Sequence, residues 1–200
     1  MYDVDLCDAD LLRHRGEVAR AIRNRRWEPH VNGILLPDMH AVAGITCTHS
    51  VNGRDVRVDR NLMPTEGRNW ALSVLVKNST PIATWYGALF EGDYTPAAGL
   101  TASTFTASTT EYTDYDESTR VAVTFGSVSS GSVNNTGNES VFTIASGVSD
   151  DTLYGIGFLS ASAKSATTGT LLSVLRFSSE RVVNATDTLN IGLTLSLTSS

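Results

Sequence analysis

The clearest pattern in the chain is a strict alternation of apolar and polar residues over residues 187–198. Successive side chains of a strand point to opposite faces, so the alternation predicts a strand with one face in a core and the other in water. The apolar members are Leu189, Ile191, Leu193, Leu195 and Leu197.

Shorter apolar runs with strand spacing precede this one, and turn residues lie between them. They cover residues 82–90, 119–126, 140–146, 152–160 and 170–177. Helical crossovers between them are missing, which favours an antiparallel sheet over a parallel one. We therefore predict a mainly β protein with an antiparallel sandwich or jelly-roll-like domain.

The first part of the chain differs, because its apolar residues recur at helical spacing. Asp8 or Asp10 can cap a helix that runs to about Arg26, and Glu28-Pro29 ends it, since a residue before proline disfavours helical geometry. Its apolar side consists of Leu11, Leu12, Val18, Ala19 and Ile22.

Two hairpin signals and a second helix follow. Asn52-Gly53 between alternating runs predicts a hairpin over residues 43–59, and Val-Asn-Gly at 31–33 predicts a smaller turn. A short helix is expected from Pro64, with one face formed by Trp70, Ala71, Val74 and Leu75. Residues 91–118 lack a pattern and are predicted to be a long loop, a feature that is usually functional or mobile.

Charge is divided unevenly along the chain. Residues 1–60 carry nine Lys or Arg and nine Asp or Glu, so the net charge of -6 belongs to residues 61–200. Residues 101–200 contain 37 Ser or Thr, interleaved with apolar residues as in sheet rather than in a disordered tract. We predict an attachment arm, comprising the basic helix and the hairpin, over residues 1–60, and a β-sandwich domain over residues 61–200.

Catalytic signatures are scarce. All four His lie in the first 50 residues, no Gly-x-Ser-x-Gly sequence frames a serine, and no Gly-rich phosphate loop precedes a helix. His40 with His49, or Asp8 with Asp10, would need further ligands to bind a metal. The sequence therefore predicts a protein that is not an enzyme and uses no cofactor or metal. Because the sequence starts with acidic residues and has no long apolar run, we expect no secretory signal and no membrane span.

The acidic run at residues 111–117 offers oxygen ligands that could hold Ca²⁺. Carboxylates also cluster in loops without any ion, and a solvated loop is the favoured interpretation.

The Arg-rich helix is the candidate partner-binding site. Arg forks pair with carboxylates and apolar side chains fill a groove, so we predict docking on an acidic protein surface, with nucleic acid the less favoured partner because the flanks are acidic. A helix packed on its own domain with a solvated basic face is equally compatible with the pattern. The residues expected to bind are Arg13, Arg20, Arg23, Arg26, Trp27, Leu11, Val18 and Ile22.

Several sequence blocks resemble a known class of proteins. They are Asn-Leu-Met-Pro-Thr-Glu-Gly at 61–67, Thr-Trp-Tyr-Gly-Ala-Leu-Phe-Glu-Gly-Asp-Tyr-Thr-Pro at 84–96, residues 111–121, Ser-Ala-Lys-Ser-Ala-Thr-Thr-Gly-Thr-Leu-Leu at 162–172 and Arg-Phe at 176–177. Together they are similar to small structural proteins encoded beside the capsid genes of tailed bacteriophages and prophages. The resemblance covers most of residues 60–200 and is weaker before residue 60.

The resemblance implies a β-rich capsid cement or decoration protein of the virion, assembled in the host cytoplasm. Its expected partners are the major capsid protein or other virion proteins, and it is expected to form a homo-oligomer. The class has no catalytic signature, so the resemblance supplies no site residues.

Three alternatives stay open on the sequence alone. The first is a neck, tail or fibre-attachment component. The second is a glycan-binding β-sandwich, which would need an exposed cluster formed by Trp85, Tyr86, Tyr94, Tyr112 and Tyr115. The third is a small hydrolase, which would need a His within hydrogen-bond reach of a Ser or a carboxylate.

Overall fold

A computed structural model of the chain describes residues 28–29, 35–36 and 41–199, with side-chain surroundings from residue 44 to residue 197. The chain divides into two compact units, one of residues 1–42 with 198–200 and one of residues 43–197. The described part is mainly β and contains two larger antiparallel sheets. The predicted fold class is confirmed, while a jelly-roll strand order stays a prediction.

The described strands are β1 (Glu28–Pro29), β2 (Leu35–Leu36), β3 (Ala41–Val51), β4 (Arg54–Arg60), β5 (Trp85–Phe90), β6 (Val121–Val123), β7 (Ser132–Asn134), β8 (Ser140–Thr143), β9 (Asp151–Leu159), β10 (Leu171–Val183) and β11 (Thr188–Ser199). The described helices are α1 (Thr65–Lys77) and α2 (Ala102–Thr109). Every strand-like run predicted after residue 80 contains a strand, whereas β7 was not predicted.

The larger sheets have different strand orders. The first sheet has the order β10-β9-β5-β6, and the second has the order β4-β3-β11-β7, with β8 also paired to β11. In the smaller unit, β1 pairs antiparallel with β2, so that Glu28 lies opposite Leu36.

The main hydrophobic core lies between the two larger sheets. The second sheet contributes Cys47, Phe142, Leu189, Ile191 and Leu193, and the first contributes Leu89, Ile156, Phe158 and Leu175. A second core covers the opposite face of the first sheet, where Phe105 of α2 packs with Phe90 and Val174. Strands β5 and β9 are thus buried on both faces, which explains their almost continuous apolar runs.

The predicted loop over residues 91–118 contains helix α2, so the expectation of an irregular loop was wrong there. The Ser/Thr-rich sequence of α2 has a weak intrinsic helix propensity. Tertiary contacts stabilise the helix instead, because Phe105 is fully buried and Ala102 N donates to Glu66 Oε2 at 2.8 Å. Thr101 N also donates to Thr104 Oγ1, which satisfies another amide at the helix start.

The hairpin predicted at residues 43–59 is confirmed, and its turn residues Asn52 and Gly53 both have positive φ, at 51° and 68°. Strand β3, however, lies between β4 and β11 in the second sheet. The boundary between the two units falls after Val42, so the hairpin belongs with the β-sandwich rather than with an arm that ends near residue 60. Whether the residues before the hairpin form an attachment arm stays a prediction.

Helix α1 starts directly after Pro64 and ends at Lys77, and the next residue, Asn78, caps it with a φ of 55°. Gly67 lets the helix approach β10 closely, because a Cβ at this position would lie 2.2 Å from the carbonyl oxygen of Leu172. Trp70 packs edge-to-face on Trp85, as expected for the core side of the helix. Leu75 was expected on the same side but is 69% exposed.

Candidate functional site

A network of hydrogen-bonded polar side chains lies where β4 meets β10. Each of these strands is an edge of its sheet, so the contact closes one side of the sandwich. Four side chains join here, and we call the group the clasp: His49 from β3, Asp55 and Asp59 from β4, and Arg181 from β10.

His49 lies at the centre of the clasp and is fully buried. Its Nε2 lies 2.9 Å from Oδ2 of Asp59, and its Nδ1 accepts a hydrogen bond from Nε of Arg181 at 2.9 Å. The ring stacks on Phe177 with a centroid separation of 4.1 Å. Since Nδ1 accepts, the proton of the neutral ring resides on Nε2, which donates to Asp59.

Arg181 connects the two sheets through its whole guanidinium group. Its Nη1 donates to Oδ2 of Asp55 at 2.5 Å, and its Nη2 donates to the backbone oxygens of His49 at 3.2 Å and Asp55 at 2.8 Å. The side chain is only 4% exposed. A planar fork with several donors suits such a buried junction better than the single ammonium of lysine would.

The environment favours neutral His49 and ionised Asp59. Burial lowers the pKa of His49, the hydrogen bond to Asp59 opposes that shift, and the charge of Arg181 adds to it. For Asp59, burial raises the pKa, but hydrogen bonds from the Ser178 amide and from His49 outweigh burial and leave it below its usual value.

The His49–Asp59 pair satisfies the distance criterion stated above for a hydrolase, but it does not offer a free base. Both ring nitrogens are engaged, since Nε2 donates to Asp59 and Nδ1 accepts from Arg181. The nearby thiol of Cys47 is buried, and burial raises its pKa, which disfavours the nucleophilic thiolate. The clasp is therefore built to hold strands together rather than to transfer a proton to a substrate.

The sequence predicted the hairpin that carries the clasp but not which face of β4 is buried. Val56 and Val58 are apolar and alternate with charged residues, yet they are 62% and 63% exposed. The intervening Arg57 and Asp59 are only partly exposed, and Asp59 pairs across the hairpin with buried Cys47. An alternation fixes two faces of a strand without fixing which one is buried, and here the buried partner Arg181 decides it.

A shallow groove lies beside the clasp. It has a volume of about 340 Å³, and its walls come from the β3–β4 turn and from β10. It is lined by Val51, Asn52, Arg54, Asp55, Glu180, Arg181 and Val182.

The acidic run at residues 111–117 is a solvated loop only in part, since Asp114 and Asp116 are exposed but Glu111 is not. Glu111 is fully buried and forms a bidentate ion pair with Arg120, whose Nη2 lies 2.6 Å from Oε2 of Glu111. Arg120 also donates to the backbone oxygens of Ala161 and Ala166. The ion pair thus ties this run to the segment that precedes β10.

A lysine supplies positive charge beside the same run. Lys164 Nζ donates to the backbone oxygens of Thr113 and Tyr115 at 2.9 and 2.7 Å and lies over the ring of Tyr115. Burial lowers the pKa of Lys164, and the nearby Glu117 and Asp114 oppose that shift. Among the described residues, no group of three or more His, Cys, Asp or Glu side chains is arranged to hold a metal ion.

The aromatic residues proposed for glycan binding do not form an exposed cluster. Trp85, Tyr112 and Tyr115 are buried, with exposed fractions of 7%, 2% and 3%. Tyr86 and Tyr94 are partly exposed. A sugar ring would need several of these faces open at once, so the criterion for a glycan site is not met.

Helix α1 carries an exposed apolar surface, which we call the α1 face. Leu72, Leu75 and Val76 are 57%, 69% and 74% exposed. Their spacing places all three on one side of the helix. Arg68 is also exposed and lies one turn before Leu72 on that side.

The partner-binding residues predicted from the sequence lie outside the described residues. They are Leu11, Arg13, Val18, Arg20, Ile22, Arg23, Arg26 and Trp27. In the part of the chain that the structure describes, neither helix is long and apolar enough to span a membrane. No protein-family model matches the sequence, and a search of curated proteins finds no match.

Proposed function

We propose that this chain is a structural protein of a tailed-phage virion that stabilises or decorates the capsid by protein–protein contacts. The sequence blocks described above support this role by their resemblance to capsid cement and decoration proteins. The observation in the structure that best supports attachment to a protein surface is the α1 face, where three large apolar side chains share one side of a helix.

The rest of the described surface is compatible with a scaffold that presents contacts rather than chemistry. The buried side chains of Glu111 and Arg120 pair with each other, and buried Arg181 pairs with the exposed carboxylate of Asp55, so these charges join parts of the domain. The outer side of β3 and β11 carries Thr46, Thr48, Asn190 and Thr194, which are uncharged and short. A partner that packs on these side chains would bury no charge.

The expected occupant of the α1 face is the major capsid protein. Three apolar side chains would fill a groove of the partner, as in other helix-in-groove contacts. The exposed guanidinium of Arg68 on the same side favours a carboxylate at the rim of that groove.

This role is tested by loading onto particles. A variant with Leu72→Ser, Leu75→Ser and Val76→Ser should keep its thermal stability, since exposed substitutions usually change the free energy of unfolding by less than ~0.5 kcal/mol, and should be lost from purified particles. A matched control replaces Val128, Val141 and Val182, also exposed, by Ser. The control should load at the wild-type level. If both variants load at the wild-type level, the α1 face is not the attachment surface.

A further inference from the structure

We propose that the clasp is an acid-sensitive lock on one edge of the sandwich: protonation of His49 displaces Arg181 and releases β10 from β4. The lock is a property of the fold and would operate whatever surface the protein attaches to.

The lock depends on the acceptor role of Nδ1. In the described arrangement Nε of Arg181 donates to Nδ1 of His49 at 2.9 Å, while Nε2 donates to Asp59. A second proton can only be added at Nδ1, because Nε2 already carries one. Protonation therefore places two N–H donors face to face, one on the imidazolium of His49 and one on the guanidinium of Arg181, and both cations are buried.

The charged groups around His49 cannot remove this conflict. Strand β4 contributes Asp59, Arg57 and Asp55, and β10 contributes Arg181. Asp59 already accepts from Nε2, and Asp55 already accepts from Arg181. On β3 the neighbouring titratable group is Cys47, and β11 carries no titratable residue.

Relief requires that Arg181 move away from the ring. Its departure would break the hydrogen bonds to Asp55 and to the backbone oxygens of His49 and Asp55. These bonds tie β10 to the hairpin, so their loss opens the side of the sandwich that they close. The imidazolium and the guanidinium repel each other where little water screens them, which makes release of Arg181 the expected response.

The structure of β10 confines the opening to a short stretch. Pairing with β9 is interrupted between Arg176 and Arg181. Within that interruption the amide of Ser178 donates to Oδ2 of Asp59 at 3.0 Å instead of to β9. This amide therefore depends on the clasp and reports its state.

The direction of the pH effect follows from the depressed pKa of His49, which burial causes. The released state binds a proton near the ordinary His pKa of about 6.5, whereas the closed state binds it only at lower pH. The closed state is thus fully favoured above about pH 6.5 and loses stability as the pH falls toward the closed-state pKa. The lowered pKa of Asp59 acts in the same direction at still lower pH.

Hydrogen exchange of the full chain tests the lock, with the protection factor of the Ser178 amide as the readout. In the wild type, this factor should be constant above about pH 6.5 and fall by up to about tenfold for each pH unit below it. His49→Asn keeps an oxygen acceptor in the place of Nδ1 but does not titrate, so its protection should not fall over the same range.

A matched control removes the other three imidazoles by His14→Gln, His30→Gln and His40→Gln. It should reproduce the wild-type loss of protection. The proposal is overturned if Ser178 protection in the wild type is unchanged down to about pH 5, which lies well below the ordinary His pKa, or if His49→Asn loses it in the same way.

A second measurement decides the matter if His49→Asn fails to fold. Imidazole ¹⁵N shifts of the wild type should show Nε2–H and an unprotonated Nδ1 at neutral pH. Protonation of Nδ1 should then coincide with the loss of Ser178 protection. An imidazolium that forms while Ser178 stays protected would overturn the proposal.

Discussion

Gly155 of β9 lies directly under the ring of Phe90 on the neighbouring strand β5. The two residues are cross-strand partners, and a Cβ at Gly155 would lie 2.3 Å from Cζ of Phe90 and 2.1 Å from the carbonyl oxygen of Leu175. The missing side chain is what allows the ring to fold back over the sheet toward Phe105, with which it packs edge-to-face.

We expect Gly155→Ala to destabilise the domain by roughly 1 to 3 kcal/mol, because the new methyl group overpacks a site closed by a ring and by backbone. Gly99→Ala is the control, since a Cβ at Gly99 meets nothing within 4 Å. Chemical denaturation should show the loss for Gly155→Ala and little change for Gly99→Ala. Equal stabilities would mean that Phe90 does not cover Gly155.

Strand β11 was predicted correctly because its alternation of apolar and polar residues coincides with burial. The apolar side chains of Leu189, Ile191 and Leu193 are at most 1% exposed. Leu197 continues the alternation but is 59% exposed, because the pattern does not reveal where the opposite sheet ends.

Leu193→Ala should therefore cost about 2 to 5 kcal/mol of unfolding free energy, the usual effect of a cavity in a packed core. Leu197→Ala removes the same atoms from an exposed position and should cost less than about 0.5 kcal/mol. Thermal or denaturant unfolding of both variants measures the difference. Similar small losses in both would contradict the core proposed between the sheets.

The Glu111–Arg120 pair gives a third prediction. Arg120→Met leaves the carboxylate of Glu111 buried without its partner and should cost about 3 to 5 kcal/mol. Combining Arg120→Met with Glu111→Gln removes the uncompensated charge and should restore part of that loss. A double-mutant cycle of unfolding free energies tests this, and strict additivity of the two substitutions would show that the ion pair is not coupled.

Deletion of residues 1–60 should abolish cooperative unfolding of the remaining chain. It removes β3, an inner strand of the second sheet, together with the buried Ile45, Cys47 and His49. A fragment of residues 41–200 keeps these groups and should unfold cooperatively. Circular dichroism during heating compares the two fragments, and a stable fold of residues 61–200 would place the hairpin outside the core.

Other features could not be derived from local sequence patterns. The alternation of Val56 and Val58 with charged residues has two possible phases, and the residue that selects one of them, Arg181, is 126 positions from Asp55. Helix α2 has no strong helical signal, and it is held by Phe105 and by the carboxylate of Glu66. Both depend on distant contacts, which single-sequence periodicity does not contain.

Unlike the fold, the partner-binding site predicted from the sequence is not tested by the structure. The basic helix predicted around Arg20 and Arg23 lies outside the described residues, so docking through it stays a prediction. The α1 face was missed because Leu75 was assigned to the core side with Trp70, and a helical repeat alone does not show how wide the buried stripe is.

The most direct test of a virion role is a mass-spectrometric count of this chain in purified particles of a phage or prophage that encodes it. We predict stoichiometric incorporation, on the order of hundreds of copies for a protein that follows the symmetry of the head lattice. A count of about six to twelve copies would instead assign it to the neck or tail, whose rings have that symmetry. Absence from purified particles, with the chain abundant in the lysate, would contradict the proposed function.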